Sequence, residues 1–228
     1  STVHKIILSA PVRYKTYQID KRGGGKRTIS QPAREVKYLQ RAFIKLYLSK
    51  CPVHEAAQAY RSGKSILDNA LAHKESGSLL KMDFRDFFPS IRKRDWLEYC
   101  NKQDFMEGIE DRELSSSLLF QKPKGSRQRQ LAIGAPSSPM LSNILMFEFD
   151  TLATTIAHEE NAIYTRYADD LTFSAARSWN LKSIETRVQT VLRKMRHPKL
   201  TIHPNKTTHV TKKFSRTVTG LTLSNNGS

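Results

Sequence analysis

Three aspartates in this chain occupy positions from which carboxylates can do chemistry. Asp83 closes an apolar run, Leu79–Met82, and precedes the aromatic residues Phe84, Phe87 and Phe88. Asp169 and Asp170 stand side by side in Tyr164-Thr-Arg-Tyr-Ala-Asp-Asp-Leu-Thr-Phe173, with apolar residues on both sides. Two adjacent acids in a hairpin turn, or one acid ending a strand, are by themselves ordinary solvated residues. Their combination points further. If the two elements pair side by side, three carboxylates meet at one sheet edge and repel one another unless cations sit between them. Hard oxygen donors with open positions suit Mg²⁺. Two such ions roughly 4 Å apart can activate a 3′-hydroxyl and stabilise the oxygens of a leaving pyrophosphate. That chemistry is phosphoryl transfer by positioning and electrostatics.

The rest of the chain is poor in acid. Its 228 residues carry 38 Lys and Arg against 21 Asp and Glu, a net charge of +17. Residues 1–50 hold 12 basic residues and two acids, and from Arg187 onward there are nine basic residues and no acid. A third basic group, Lys122, Lys124, Arg127 and Arg129, occupies a polar loop. Such a surface attracts a phosphate backbone through counterion release, almost regardless of sequence, so nucleic acid is the expected partner. No run of eighteen apolar residues and no long amphipathic basic helix with an aromatic face is present, which argues against a membrane. The start, Ser1-Thr2-Val3-His4, lacks a signal-peptide hydrophobic stretch. Cys51 and Cys100 are too few for a disulfide framework or a zinc site, so a cytoplasmic protein is expected.

The elements that must position the acids follow from periodicity. Arg13–Ile19 alternates like a strand and Lys26–Ser30 reads as a second, with Gly23-Gly24-Gly25 between them as a hairpin with a basic tip. A helix is predicted after Pro32, with Val36, Leu39, Phe43, Leu46 and Tyr47 on one face, and another over 65–75. Leu79–Phe84 is a short strand, and helices fit 93–103 and 111–121. Residues 138–157 read as one long apolar helix. Strands follow at Ala162–Ala168 and Leu171–Ala175, then an amphipathic helix from Leu181 to Met195, then a strand at Thr217–Leu223. The second half suits a small antiparallel sheet covered by helices on one face, an α+β layer.

Several of these segments, taken in order, carry a family resemblance. Tyr167-Ala168-Asp169-Asp170, with Arg166 before it and Leu171-Thr-Phe-Ser174 after, resembles the YxDD core of a reverse transcriptase. Lys81-Met-Asp83-Phe-Arg-Asp-Phe-Phe88-Pro-Ser-Ile91 resembles the first catalytic-aspartate motif of that family, and Gly134-Ala135-Pro136-Ser-Ser-Pro139 its template- and nucleotide-contacting loop. Asn205-Lys206-Thr207 is similar to the lysine-bearing motif beyond YxDD. Val218-Thr219-Gly220 resembles a signature of bacterial retron reverse transcriptases, and Arg27-Thr-Ile-Ser-Gln-Pro32 the fingers of that group. A YxDD match alone is weak; these six ordered motifs covering almost the whole chain are not.

The resemblance implies an α+β, right-hand fingers–palm fold. Residues 1–78 would be fingers and 79–228 palm, with fingers-associated helices around 93–130, and the thumb would be absent from this chain. It implies that Asp83, Asp169 and the Phe84 carbonyl hold two Mg²⁺ ions, that Asp170 supports them, and that Lys206 protonates the leaving pyrophosphate. Phe88 would be the steric gate against a ribose 2′-hydroxyl. Arg27, helped by Lys26 or Lys21, would grip the incoming triphosphate, beside Gly134, Ala135 and Pro136. Arg61, Lys64 and Tyr167 would contact nucleic acid, and Val218, Thr219 and Gly220 would lie near the primer terminus. The partners would be a structured noncoding RNA as template and primer, the RNA–DNA hybrid, deoxynucleoside triphosphates and an effector protein of an antiviral defence system. Where the family usually carries Gln before the Gly134-Ala-Pro loop, this chain has Ile133. Other readings are a group II intron-like or CRISPR-associated reverse transcriptase, and a catalytically silent RNA-binding protein on the same scaffold.

Overall fold

The computed structural model describes residues 1–20 and 24–224. In chain order the elements are α1 (Thr2–Ser9), β1 (Tyr14–Asp20), β2 (Lys26–Pro32), α2 (Arg34–Leu46), α3 (Ile66–Leu71), β3 (Ser78–Asp83), α4 (Phe87–Ser90), α5 (Lys93–Lys102), α6 (Ile109–Leu119), α7 (Ser138–Leu145), α8 (Phe147–Glu159), β4 (Ala162–Tyr167), β5 (Asp170–Ala175), α9 (Ser178–Lys194), β6 (Thr208–Val210), β7 (Arg216–Val218) and β8 (Leu221–Leu223). They gather into two compact units, each built from two stretches of chain. The first comprises Ser1–Cys51 and Asp86–Leu145, the second Pro52–Arg85 and Met146–Ser228.

In the first unit β1 and β2 pair antiparallel from Tyr14↔Pro32 to Asp20↔Lys26. Almost all of β1 faces solvent, and only the base of β2, at Ser30 and Pro32, is buried. Gly23, expected at the hairpin tip, and Lys21 lie outside the described residues. Helix α2 buries Val36, Gln40 and Phe43. This corrects the apolar face read from sequence, because Leu46 and Tyr47 are exposed. The inward polar residue is Gln40, whose amide donates to the Leu118 carbonyl at 2.9 Å and to the Tyr14 hydroxyl at 3.1 Å. Its amide nitrogen is thus satisfied, while its buried Oε1 has no hydrogen-bond partner. Trp96 of α5 is fully buried and donates its indole N–H to Ser115 of α6 at 2.8 Å.

The second unit holds a four-stranded sheet in the order β4-β5-β3-β6, with β5 antiparallel to both β4 and β3. Helices α8 and α9 pack on it. Leu181, Ile184, Val188 and Leu192 form the buried stripe of α9, and Arg193 and Lys194 complement the helix dipole in its last turn. Strand alternation gives the sheet two different faces. Leu80, Met82, Leu171 and Phe173 are buried to 0–1% exposure. On the opposite face, His73 sits between Ser174 (Nδ1 to Oγ, 2.6 Å) and Thr165 (Nε2 to Oγ1, 2.7 Å). Burial pushes this imidazole down to about 4. Further along that face Leu79 packs with Ala70, Val218 and Leu223.

Two expected elements are divided. The helix read over 138–157 breaks at Met146 into α7 and α8, at the residue where the chain passes from one unit to the other. Apolar spacing continues across the break because each half serves its own core, so periodicity alone does not register it. The strand read at Thr217–Leu223 is a hairpin, with β7 and β8 joined by Thr219-Gly220 at φ 47° and 82°. Positive φ at both central positions matches the type I′ turn that two-residue hairpins favour. Helices α1 and α4 and strand β6 were not anticipated. The expected strands at β1 to β5 and the helices α2, α3, α5, α6 and α9 form, with ends shifted by a few residues. Among the described residues no helix is long and apolar enough to cross a membrane.

Candidate active site

The acids converge through strand register. β3 and β5 pair so that Asp83 lies directly opposite Asp170, and the Phe84 N–H donates to the Asp169 carbonyl at 3.0 Å. Beyond its last sheet residue β3 keeps a partner: the Asp83 carbonyl accepts from His203 N–H at 2.7 Å and Arg85 N–H donates to the Thr201 carbonyl at 2.9 Å. Alternation puts Asp83, Asp170 and Tyr167 on the sheet face opposite the one that Tyr164 and Arg166 turn toward α8. The acid-bearing end of that face therefore stays accessible while its other end is plugged by His73 and the Leu79 cluster.

The turn between β4 and β5 is held from below. Tyr167 pairs with Asp170, leaving Ala168 and Asp169 as a two-residue loop. Ala168 takes φ 58°, a left-handed conformation that is costly for a residue with a Cβ. Its carbonyl accepts from Arg166 Nη1 at 3.0 Å. Arg166 is completely buried and grips Asp150 of α8 with Nε to Oδ1 at 2.9 Å and Nη2 to Oδ2 at 2.7 Å. The Tyr164 hydroxyl donates to the same carboxylate at 2.8 Å. A bidentate guanidinium–carboxylate pair with its remaining donors used is the form in which a buried ion pair is stable. The sequence alone gives Arg166 no role and does not single out Asp150. A charged residue in the alternating apolar strand was the signal, since it must meet an acid when buried.

Charge at the site is unbalanced. Asp170 keeps an exposed surface, yet partial loss of solvent around its carboxyl, then the negative charges of Asp169 and Asp83 and a hydrogen bond with Asp83, push it up to about 7, with Lys81 pulling the other way. Carboxylates brought this close repel one another, so each makes ionisation of its neighbour more costly. Lys206 Nζ donates to both oxygens of Asp83 at 2.9 Å. That bond, with the attraction of all three acids, raises the lysine above its ordinary value. Among the described residues no group of three or more His, Cys, Asp or Glu side chains is arranged to hold a metal ion. Carboxylate oxygens are nevertheless the donor type that a hard divalent cation takes.

The structure thus brings Asp83, Phe84, Asp169, Asp170 and Lys206 together in the second unit. Tyr167 is half-buried beside them, and Arg61 directs Nη1 to the carbonyls of His54, Glu55 and Ala57 at 3.2–3.3 Å. Lys64 is exposed. Val218, Thr219 and Gly220 belong to the separate β7–β8 hairpin, where Val218 is core and Thr219 Oγ1 donates to the Ile66 carbonyl at 3.2 Å. The remaining candidates fall in the first unit. Lys26 and Arg27 project from the exposed β2. Phe88 is half-buried with its ring 5.5 Å from that of Phe87. The Gly134-Ala135-Pro136 loop lies against β2, with Ser30 N–H donating to the Ile133 carbonyl at 2.7 Å. Gly134 has φ 118°, and a Cβ there would meet Ser30 O and Ile29 Cγ2 at 3.1 Å, so glycine is required.

Comparison with known proteins agrees with this geometry. Residues 19–223 match the family described as reverse transcriptase (RNA-dependent DNA polymerase). The chain belongs to the reverse transcriptase family. It is 38% identical to the retron Ec83 reverse transcriptase of Escherichia coli, over 97% of this chain and 72% of that protein. It is 34% identical to the retron Mx162 reverse transcriptase of Myxococcus xanthus (95% and 48%) and 33% identical to the retron Ec86 enzyme of Escherichia coli (98% and 67%). Those identities place it in the retron group, and it spans about half to three quarters of these relatives' length. Among solved structures, apo telomerase from Candida tropicalis truncated from its C-terminal domain is similar with a TM-score of 0.60 at 14% identity, covering 92% of this chain and 52% of that one. The fold is the α+β fold of polymerase fingers and palm.

Proposed function

We propose that this chain copies a structured noncoding RNA into DNA as the fingers and palm of a retron reverse transcriptase. The observation that carries the reading is the placement of Asp83 opposite Asp170, with Asp169 in the adjoining turn. Asp83, Asp169 and the Phe84 carbonyl would hold two divalent cations, Mg²⁺ by donor chemistry, with Asp170 supporting them. Such ions supply activation of a 3′-hydroxyl and stabilisation of pyrophosphate. The chain's own residues do the rest. Arg166 and Asp150 fix the turn, and Lys206, held on Asp83, would give a proton to the leaving group. In this reading Lys26, Arg27 and the Gly134–Pro136 loop receive the deoxynucleoside triphosphate. Tyr167, Arg61, Lys64 and the Val218–Gly220 turn serve the RNA–DNA hybrid. Residues 1–78 are assigned to fingers and 79–228 to palm. The retron relationship further suggests a cytoplasmic role in antiviral defence, beside an effector protein.

Extension of a primer on an RNA template with Mg²⁺ and labelled deoxynucleotides, compared with Asp169→Asn/Asp170→Asn, tests the reading. Extension should fall by roughly a thousandfold or more, since metal-supplied charge stabilisation is worth several kcal/mol, while RNA binding stays intact. Equal loss of binding and extension would count against the metal assignment. If neither this chain nor a longer version extends on the cognate RNA, a silent RNA-binding protein is the better description. Phe88→Ala should relax selection against ribonucleotides by about 10- to 100-fold, the range a steric pocket difference commands. Unchanged selectivity removes Phe88 from that role.

A further inference from the structure

We infer that the first unit carries a second nucleic-acid contact, a sequence-blind RNA-backbone cleft formed by the start of α5 and the loop before the Gly134 segment. A concavity of roughly 330 Å³ is lined by Arg92, Lys93, Arg94, Arg127, Gln128 and Arg129, five cations and no acid. The two segments are joined through their backbones: Arg92 and Gln130 form an antiparallel bridge, and Lys93 N–H donates to the Arg129 carbonyl at 3.1 Å.

Several of the cations are held in place. Arg92 Nη1 donates to Gln130 Oε1 at 2.6 Å and Arg129 Nη1 to Ser117 Oγ at 2.9 Å, so both guanidinium groups are oriented by neutral partners and keep their charge uncompensated. The acids in reach are few. Glu113 pairs with Lys93 at 2.5 Å. The Asp95 carboxylate is buried, accepting from the Arg92 N–H at 2.7 Å, and the exposed Arg94 lies 3.8 Å from it. Among the described residues the Arg127 side chain has no ion pair or hydrogen bond. The N-terminal end of ten-residue α5 adds its partial positive charge to the same place.

With Lys93 paired to Glu113 and Arg94 near Asp95, the Arg92, Arg127 and Arg129 guanidinium groups remain, among the described residues, without an acidic partner around the concavity, and cations drawn from two segments suit successive phosphates of a strand. Guanidinium groups match phosphate oxygens in pairs. No aromatic side chain lines the cleft, so no base is stacked there, and the contact is to the backbone alone. The assignment to RNA rests on the reading of this chain as an RNA-copying polymerase, which supplies such a strand.

The test is binding of the 228-residue chain to a labelled 30-nucleotide oligouridylate across 0.05–0.5 M KCl, without nucleotides or divalent cations. Arg94→Gln/Arg127→Gln should make the slope of log affinity against log salt shallower by about 1.4, at about 0.7 per single-strand phosphate contact, which is roughly 25-fold weaker binding near 0.1 M salt. Arg127→Gln alone, which removes no intramolecular partner, should change the slope by about 0.7. Arg34→Gln/Arg41→Gln, removing the same charge from α2, should change it less. An unchanged slope in the Arg94/Arg127 variants, or an equal change in the α2 variant, overturns the cleft and leaves an acidic protein surface as its alternative partner. A change seen only with oligothymidylate assigns the cleft to DNA instead and also overturns it. Because binding is read without catalysis, this result and primer extension fail independently.

Discussion

The two long hairpins of the molecule are built to opposite specifications. In β4–β5 both strands are largely buried, the turn residue Ala168 is tied to Arg166, and His73 bridges Thr165 to Ser174 across the pair. In β1–β2 nearly every side chain faces solvent, and burial is confined to its base. The first presents three acids at one strand edge, which under the proposed reading would share cations and would need their oxygens closely fixed. The second presents Lys26 and Arg27, long flexible cations that can adapt to a polyanion and need no such fixing. Burial and side-chain ties are concentrated where charge of one sign is brought together, and are sparse in the basic hairpin.

The sharpest way to break this comparison is to cut the tether. Arg166→Met leaves Asp150 buried and unpaired, and should destabilise the chain by about 3–5 kcal/mol in urea unfolding. Replacing the network as a unit, Arg166→Met/Asp150→Leu/Tyr164→Phe, should restore most of that stability, since apolar substitutes for buried pairs are often neutral. Extension should nonetheless stay at least roughly tenfold down, because Ala168 has lost its donor and the turn its anchor. Full recovery of extension would mean that the network serves the fold alone.

His73 gives the next largest effect. Above pH 6.5 it is neutral folded or unfolded. As pH falls toward about 4, the unfolded chain takes up a proton that the buried ring refuses. Stability is therefore lost over that window, by about 3 kcal/mol if the whole shift is expressed. Urea midpoints at pH 7 and pH 4 should differ more for the parent than for His73→Gln. Parallel pH dependence in the two would remove His73 as the source.

The exposed hairpin should respond least in stability. Arg27→Gln is expected to change it by no more than about 0.5 kcal/mol. If the residue grips triphosphate, the KM for deoxynucleotide should rise roughly tenfold, the worth of one charge-assisted hydrogen bond. A stability loss comparable to that of Arg166→Met would erase the contrast between the hairpins.

The acids were legible in the sequence because their positions depend on local features: an apolar strand ending in Asp83 and a tight turn carrying Asp169-Asp170. Helix α9 was legible because its stripe repeats for four turns. What stayed hidden depends on partners far along the chain. Gln40 is inward only because the Leu118 carbonyl waits for it, and Arg166 is affordable only because Asp150 does. The break at Met146 is invisible to apolar spacing, since both flanking helices are amphipathic in their own right. The β7–β8 turn was missed because Thr219 is a β-branched residue held at positive φ, which local preference argues against.

The pairing of β3 with β5 also sets a timetable. Roughly ninety residues separate Asp83 from the strand that receives it, and at about 5–20 residues per second a ribosome takes on the order of 5–20 s to supply them. During that interval the apolar edge of β3 has emerged without its neighbour, and closing so long a loop is intrinsically slow. The strand that carries the first aspartate is thus a nascent chain's exposed sticky segment. Charged residues within and beside it, Lys81, Asp83 and Arg85, are of the kind that disfavour pairing with another copy before its own partner is made.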